Sequence, residues 1–399
     1  MSEWKKVKLG DIASAIQTGP FGSQLHQSDY SDEGTPVVMP KDIVCGKIDV
    51  SSIARVENHH VERLSRHKIK EGDILYARRG DVGKCAYTNK SQTGWLCGTG
   101  CLRVTIDKTK AMPEFVFFQL QKKDTIGWVE NHAIGATMLN LNTSILSDVP
   151  IELPTLSTQY KVASILSRYN SLIENYQKQI KLLEEAAQRL YKEWFVDLHF
   201  PGYENTKIDD GVPEGWEKKS VSQLGEYLNG FAFKPSDWQE TGRPIIKIKE
   251  MGNGVSAETP RNNGDRVPVK YLIKAGDLLF SWSATLMVIV WTGEEGWLNQ
   301  HLFKVTPAKG IGREFLLQSI SNAIAEFSNL TTGSTMKHIQ RNKLDQVFVN
   351  TPSSIVMEKY NEVAESIREQ ILNTSSQIRL LTEARDRLLP KLMSGEMAV

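Results

Sequence analysis

The segment "ARRGDVGK", which ends at Lys84, concentrates side chains that could bind an anion or a nucleic acid. Arg78 and Arg79 each carry a planar guanidinium, which donates paired hydrogen bonds to a phosphate or to the edge of a guanine. Lys84 adds a further positive charge to the same segment. Ordinary surface charge explains these residues equally well, so they remain candidates until their setting is known.

Other segments of both halves combine glycine-containing turns or strand ends with hydrogen-bonding side chains. Such loops let the backbone approach a phosphate and leave side chains free to contact base edges. The further candidates are Thr18, Gly19, Phe21 and Ser23 in "TGPFGS", Lys41 in "MPKD", Thr137, Asn140 and Asn142 in "GATMLNLN", Phe233 and Lys234 in "NGFAFK", Lys247 and Lys249 in "IKIKE", Trp282 and Ser283 in "SWSATL", and Thr335, Lys337, His338 and Arg341 in "GSTMKHIQR". The structural alternatives are tight turns around a buried phenylalanine, helix N-termini capped by Ser or Thr, and solvated strand ends.

No set of residues predicts catalysis. The Asn-Pro-Pro-aromatic tetrapeptide of adenine-N6 methyltransferases is absent, and so is a GxxxxGK[ST] phosphate-binding loop. Cys97 and Cys101 have an unfavourable spacing for zinc and no second ligand pair nearby, which favours a turn with two half-buried thiols. We therefore expect no catalytic residue, no metal and no cofactor in this chain.

The elements that must position these loops occur twice. "IKEGDILYARRG" begins at Ile69 and "IKAGDLLFSWSA" at Ile273, so one frame ends in two different tips. "GWL" at Gly94 recurs at Gly296, and "RVT" at Arg103 corresponds to "KVT" later in the chain. Ordered matches of this kind indicate a tandem duplication with loops of varying length. We expect the "GD" frame to be a turn that leads into a core strand.

Each repeat contains two kinds of structure. Strand-like runs such as "GDILYAR" and "LMVIVW", with a probable helix at "PEFVFFQLQKK", predict a compact α+β domain. After Pro154 and again after Pro352, apolar residues that include Leu172 and Val363 recur at nearly heptad spacing, which predicts a long helix. The predicted fold is α+β: two globular α/β domains in tandem (1–154, and 201–352 with its linker), separated by two long antiparallel coiled-coil helices (155–200 and 353–399).

Composition gives weaker constraints. The 399 residues carry a net charge of +1, so phosphate neutralisation by this chain alone would give weak binding to DNA. The first residues contain no apolar secretory segment, no run is long enough to span a bilayer, and the four cysteines all lie in the first half. We expect a cytoplasmic protein without disulfides and without a membrane partner.

Longer motifs add a family resemblance over the whole chain. "VKLGDIASAIQTGPFGSQL", "TMLNLNTSILSDVPIELPTLSTQ", "RLYKEWFVDLHFPG" and "LTEARDRLLPKLMSGE" resemble the specificity subunit of type I restriction–modification enzymes. The resemblance implies two target recognition domains, each reading one half of a bipartite site in double-stranded DNA. It also implies spacer helices that dock two methyltransferase subunits, and two restriction subunits in the full complex. S-adenosylmethionine, ATP and Mg²⁺ would then belong to those partners.

The ends of the two helices carry apolar residues beyond the needs of a two-helix seam. Tyr191, Trp194 and Phe195, with Leu388 and Leu392 at the equivalent place, are our candidates for contact with the methyltransferase. Closure of each helix onto its neighbouring globular domain is an equally good interpretation. The alternative functions are a stand-alone DNA-binding regulator and a nuclease with its own recognition domains. The first would need a basic surface and the second a catalytic motif.

Overall fold

A computed structural model describes residues 4–135, 139–329, 341–397 and 399. The chain forms two compact units: Met1–Leu172 with Thr382–Val399, and Ile173–Leu381. The four segments predicted from the sequence are thus distributed over two units. Each unit combines one globular part with portions of both long helices, and only the second is continuous in sequence.

The globular part of the first unit contains short strands and short helices. Its strands are β1 (Lys5–Lys8), β2 (Ala13–Thr18), β3 (Tyr30–Ser31), β4 (Thr35–Val38), β5 (Ile43–Val44), β6 (Lys47–Ile48), β7 (Ala54–Val56), β8 (Ile74–Ala77), β9 (Cys85–Tyr87), β10 (Leu96–Cys97), β11 (Cys101–Ile106) and β12 (Pro150–Leu153). Its helices are α1 (Leu9–Ile12), α2 (Asn58–Arg63), α3 (Pro113–Leu120), α4 (Lys123–His132) and α5 (Thr143–Ser147). The strands at "GDILYAR" and the helix at "PEFVFFQL" are as predicted.

A long helix, α6 (Leu156–Tyr191), follows and ends in a π-helical turn over Lys192–Val196. The globular part of the second unit then has the strands β13 (Ile208–Asp209), β14 (Val212–Pro213), β15 (Glu217–Ser220), β16 (Gly225–Asn229), β17 (Arg243–Ile246), β18 (Arg261–Asn262), β19 (Leu272–Ile273), β20 (Leu278–Ser281), β21 (Met287–Val290), β22 (Gly296–Leu298), β23 (Leu302–Pro307) and β24 (Phe348–Thr351). Its helices are α7 (Ile248–Asn253) and α8 (Arg313–Asn329), and the last long helix is α9 (Ser354–Met393).

The two globular parts share one topology. A central antiparallel sheet has the order β2-β11-β8-β9 in the first unit and β16-β23-β20-β21 in the second. A second sheet pairs β4 with β10 in parallel in the first unit, and β17 with β22 in parallel in the second. The duplication read from the sequence is therefore a duplication of the fold.

The repeated "GD" frame is a turn that leads into a core strand, as predicted. Gly72 and Gly276 adopt φ values of +87° and +95°, a left-handed conformation that favours glycine. The backbone N–H of Lys70 donates to the Asp73 carboxylate over 2.7 Å. The corresponding bond from Lys274 to Asp277 is 2.8 Å long.

A cation on the neighbouring strand closes each frame. The Arg103 guanidinium lies 3.7 Å from the Asp73 carboxylate, and the Lys304 ammonium lies 2.8 Å from that of Asp277. These cations are the first residues of the repeated "RVT" and "KVT". The residues that recur in both repeats thus stabilise the central sheet of each unit. The residues at the strand tips are not needed for this and can differ between the units.

The two long helices run antiparallel, as predicted. In the first unit, Leu166 of α6 and Leu392 of α9 share one hydrophobic core, and the Arg385 guanidinium donates to the Asn170 side chain over 3.0 Å. In the second unit, the rings of Phe195 and Tyr360 lie 4.8 Å apart. The N-terminal half of each helix therefore meets the C-terminal end of the other.

Fewer residues are buried between the two helices than the heptad spacing of apolar residues predicted. Leu172 and Val363, which the heptad pattern places in the seam, are 42% and 47% exposed. The reason is geometric: the globular parts cover much of each helix, so the apolar face of the helix is shared between two neighbours. In the described part of the chain, no helix is both long and apolar enough to cross a membrane.

Candidate nucleic-acid interface

Three loops of the first unit meet at one edge of its central sheet. The last residue of β2, Thr18, pairs with Leu102 at the start of β11, and the last residue of β8, Ala77, pairs with Cys101. The loops after β2 and β8 and the turn before β11 must therefore lie side by side. We call this edge, with these three loops, the first-unit edge.

Backbone hydrogen bonds hold the first-unit edge together. The N–H of Gly19 donates to Cys101 over 2.9 Å, and the N–H of Arg78 donates to Gly100 over 2.8 Å. The N–H of Leu141 donates to the carbonyl of Arg78, also over 2.8 Å, and Arg79 forms an antiparallel bridge with Asn140. The segments that carry Thr18, Arg78 and Asn140, chosen separately from the sequence, are neighbours in the structure.

Gly19 has a structural reason to be glycine. A Cβ atom on Gly19 would lie 2.0 Å from the carbonyl oxygen of Gly98, so any larger residue would push the two loops apart. The segment with Lys41 also reaches this edge, because Pro40 packs beside Gly100. The Lys41 ammonium is exposed and donates to the carbonyl of Ser52 over 3.2 Å.

The side chains at the first-unit edge include polar atoms that lack partners. Among the described residues, nothing accepts from the buried Nε of Arg78 or pairs with the buried Oγ1 of Thr99 and Oδ1 of Asn140. Arg79 is exposed beside them. Buried polar atoms usually have partners, so three that lack one at a single edge suit a site that water or a ligand completes.

The remaining candidates of the first unit have more defined roles. Phe21 is 56% exposed and Ser23 is exposed, so neither fills the core. Lys84 pairs with Asp81 over 2.9 Å. The helix N-terminus that the sequence offered as an alternative for "GATMLNLN" is present, but its cap is not Ser or Thr: the side chain of Asn142 accepts from the N–H of Ile145 over 2.8 Å and caps α5. Thr137 lies outside the described residues.

The second unit forms a corresponding edge from corresponding loops. The N–H of Gly230 donates to Leu302 over 3.0 Å, and a Cβ atom on Gly230 would lie 2.1 Å from the carbonyl oxygen of Asn299. The N–H of Trp282 donates to His301 over 3.4 Å. Residues 229–234, 282–286 and 299–301 therefore form what we call the second-unit edge.

The second-unit edge has different side chains. Trp282 occupies the place of Arg78, and its indole N–H donates to the side chain of Asn229 over 3.1 Å. Ser283, at the place of Arg79, is buried. Phe233 is buried too and packs on Phe231 with 4.9 Å between ring centroids, so the tight turn around a buried phenylalanine, an alternative in the sequence, is present here.

The predicted cations of the second unit differ in their accessibility. Lys234 is exposed, and the Lys247 ammonium lies 4.6 Å from the centre of the Trp238 ring. Lys249 pairs with Glu258 over 3.2 Å on the short helix α7, where the sequence suggested a strand end. Arg341 is exposed and lines a cleft beside Tyr227, which is away from the tip of β16. Thr335, Lys337 and His338 lie outside the described residues.

The type I restriction modification DNA specificity domain is the family whose model matches this chain, over residues 1–185 and 213–358. The chain belongs to this family. The MjaIX specificity subunit of Methanocaldococcus jannaschii is 24% identical over 420 residues, which cover 100% of this chain and 94% of that protein. The HindI specificity subunit of Haemophilus influenzae is 24% identical over 469 residues, with 100% of both chains covered.

A solved structure has the same fold. The crystal structure of the S subunit of a type I restriction–modification system from M. genitalium aligns with a TM-score of 0.58 at 14% identity, covering 98% of this chain and 96% of that one. The resemblance read from the sequence is thereby confirmed. A specificity subunit is a DNA-recognition component and not a catalytic one.

The candidate partner contacts of this specificity-family chain lie largely within its own cores. Tyr191 and Phe195 are buried in the core of the second unit, and Trp194 packs against that core. Leu392 is buried in the core of the first unit, and Leu388 packs against it. Each helix thus closes onto a globular part, and contact of these residues with a methyltransferase stays a prediction.

Cys97 and Cys101 are buried thiols beside the first-unit edge. Burial raises the pKa of Cys97 to about 12, and it raises the pKa of Cys101 well above the ordinary value. Both are therefore protonated and poor metal ligands at neutral pH. Within the described residues, no group of three or more His, Cys, Asp and Glu side chains could hold a metal ion.

The turn between the second sheet and the central sheet was missed from the sequence in both units. Thr99 lies on this turn in the first unit, and Gln300 and His301 lie on it in the second. "CGTGC" attracted attention only for its thiols, and "NQH" has no repeated letters that would mark it. Its position after the repeated "GWL" was the available signal.

Exchanging glycine and alanine at the tips after β8 and β20 should change the free energy of unfolding in opposite directions. Gly80 has φ +76°, whereas Ala284, at the same place of the second unit, has φ +56°, a conformation that costs an L-residue about 1 kcal/mol or more. We expect Ala284→Gly to raise the free energy of unfolding by about 1 kcal/mol and Gly80→Ala to lower it similarly. Denaturant titration of both variants measures this, and equal signs would contradict it.

A buried histidine supports the first-unit edge and predicts a pH dependence. The Nδ1 of His67 lies 3.1 Å from the carbonyl oxygen of Thr18, and burial, helped by Arg66, holds the pKa of His67 below its ordinary 6.5. The unfolded chain therefore binds a proton that the folded chain does not, so stability falls as the pH falls below about 6.5.

We expect His67→Gln to flatten this pH dependence, as measured by thermal unfolding between pH 5 and about 7.5. The matched position in the second unit holds Tyr271 instead of a histidine. Hydrogen exchange should therefore locate the loss in the first unit. An acid-induced loss confined to the second unit would contradict the assignment to His67.

Proposed function

We propose that this chain is the specificity subunit of a type I restriction–modification complex and reads a bipartite, asymmetric site in double-stranded DNA. One observation carries the proposal: the same sheet edge is built twice, with matching backbone bonds and different side chains. Two readers with one scaffold and different tips suit two unlike half-sites. In this proposal, the residues of each edge contact the DNA.

The long helices would set the spacing between the half-sites. The 36 residues of α6 correspond to a helix about 54 Å long, which exceeds the ~34 Å of one turn of DNA. Helices of this length can separate two readers along a duplex. The family membership and the duplication of the fold support this role.

The same helices would dock two methyltransferase subunits, with two restriction subunits in the full complex. Family membership supports this role, and Leu172, Leu182, Val363 and Leu380 are exposed on these two helices. The net charge of +1 supports it as well, because partners must supply much of the phosphate contact. S-adenosylmethionine, ATP and Mg²⁺ would be held by those partners.

The four free cysteines fit a cytoplasmic protein.

Copurification and DNA binding test the proposal. The tagged chain, expressed in its host, should copurify with a methyltransferase, and the complex should bind one bipartite sequence far more tightly than the chain alone. Tight, salt-resistant and specific binding by the isolated chain would instead indicate a stand-alone regulator. Cleavage of DNA by the purified chain with Mg²⁺ would indicate a nuclease.

A further inference from the structure

The turn before β11 in the first-unit edge carries no long side chain. A Cβ atom on Gly98 would lie 2.6 Å from the sulfur of Met39, and Gly100 has φ +88° with Pro40 beside it. Thr99, between them, has a short side chain. The long polar side chains of this edge come instead from the tip after β8, at Arg78 and Arg79.

The second-unit edge reverses this arrangement. The tip after β20 carries Trp282 and the buried Ser283, so it offers no long flexible donor. The turn between β22 and β23 carries Gln300 and His301, both half-buried. Asn299 precedes them and is buried, and its side-chain oxygen accepts from the N–H of His301 over 3.4 Å, which fixes the turn.

We propose that the two units contact base pairs from different loops: the first through Arg78 and Arg79 after β8, and the second through Gln300 on the turn between β22 and β23. This inference rests on the proposed function and names the reading groups. In each unit, the loop with the long polar side chain faces a loop whose residues are short or packed, and the two loops have opposite roles in the two units. The same sheet edge therefore presents a guanidinium in the first unit and a carboxamide in the second.

The chemistry of the two groups specifies the bases. A guanidinium only donates hydrogen bonds, and it matches the two acceptors O6 and N7 of guanine in the major groove. A carboxamide donates and accepts, and it matches N6 and N7 of adenine. The half-site of the first unit therefore contains a guanine read by an arginine, and that of the second contains an adenine read by Gln300.

Trp282 is a positioning residue in this arrangement. Its indole N–H donates to Asn229, and its ring lies 5.7 Å from the ring of His301, the residue after Gln300. It thus connects the loop after β16 with the turn that carries the glutamine. Without this packing, the turn would lose its support from the neighbouring tip.

The test uses the full chain in complex with its copurified methyltransferase. Binding is measured by competition with duplexes in which each base pair of the wild-type motif is replaced in turn. Gln300→Ala should reduce discrimination at one adenine by about tenfold to hundredfold. Gln300→Arg should shift the preference at that position towards guanine, and neither variant should alter the other half-site. Asn205→Arg, at an exposed position outside both edges and both long helices, adds the same charge as a control.

Arg78→Gln supplies the reciprocal arm, because it should relax a guanine in the half-site of the first unit only. An unchanged motif for both Gln300 variants, in a complex that still copurifies and binds, would overturn the inference and leave the proposed function intact. Equal loss at both half-sites would overturn it as well. If the wild-type complex shows no bipartite preference at all, the proposed function itself fails.

Discussion

Replacement of Arg368 by methionine is expected to lower the free energy of unfolding of the second unit by about 3–5 kcal/mol. The Arg368 guanidinium on α9 donates to both carboxylate oxygens of Glu314 on α8, over 2.8 and 3.1 Å, and both residues are buried. Gln318 donates to the same carboxylate over 2.8 Å. Without Arg368, a buried carboxylate would remain without its counter-charge, which is the costly outcome.

A double variant separates the cost of the unpaired charge from the loss of packing. Arg368→Met with Glu314→Gln removes both charges and keeps an acceptor for Gln318, so most of the lost stability should return. Urea unfolding followed by hydrogen exchange in each unit measures both variants. Equal destabilisation of the single and double variants would show that packing, not charge, dominates at this place.

Leu392→Asp is expected to unfold the first unit while the second unit keeps its structure. Leu392 is 1% exposed and belongs to the same core as Phe115 and Leu166, although it lies near the end of the chain. An aspartate there would be charged and without a partner in an apolar core, at a cost of about 5 kcal/mol or more, which is comparable with the stability of a whole domain. Limited proteolysis with mass spectrometry locates the unfolded region.

Leu380→Asp is the matched control for this substitution. Leu380 lies on the same helix but is 55% exposed, so a charge there meets water rather than the core. We expect a change within about 0.5 kcal/mol for this variant. Cleavage of both units by the protease in Leu392→Asp would contradict the assignment of this leucine to the first unit.

The sequence predicted the architecture well because the architecture is repeated. The "GD" turn needs a glycine and a carboxylate, and each copy confirms the other, as Asp73 and Asp277 show. The long helices follow from apolar spacing alone. The smaller number of residues buried between the helices could not be predicted, since the division of an apolar face between a helix and a globular part depends on tertiary packing.

The candidate interface was predicted in part. Composition pointed to the loops with Thr18 and Arg78, and the sheet register brings them together. Composition did not point to Gln300. Its turn lies at the sheet edge because of the strands that it joins, and its own residues carry no signal of that position. The burial of Ser283 was not predicted, since a loop that packs on itself resembles an open loop in sequence. A buried phenylalanine in the turn with Phe233, by contrast, was one of the alternatives that the sequence offered.

The first unit is discontinuous in sequence, since Thr382–Val399 completes a body that begins at the start of the chain. During translation, residues up to Leu172 leave the ribosome long before their final eighteen partners exist, whereas the continuous second unit can finish first. Apolar surface of the first unit therefore stays uncovered until residues 382–399 have been translated. A chain that stops before Thr382 would contain one complete unit and one incomplete unit.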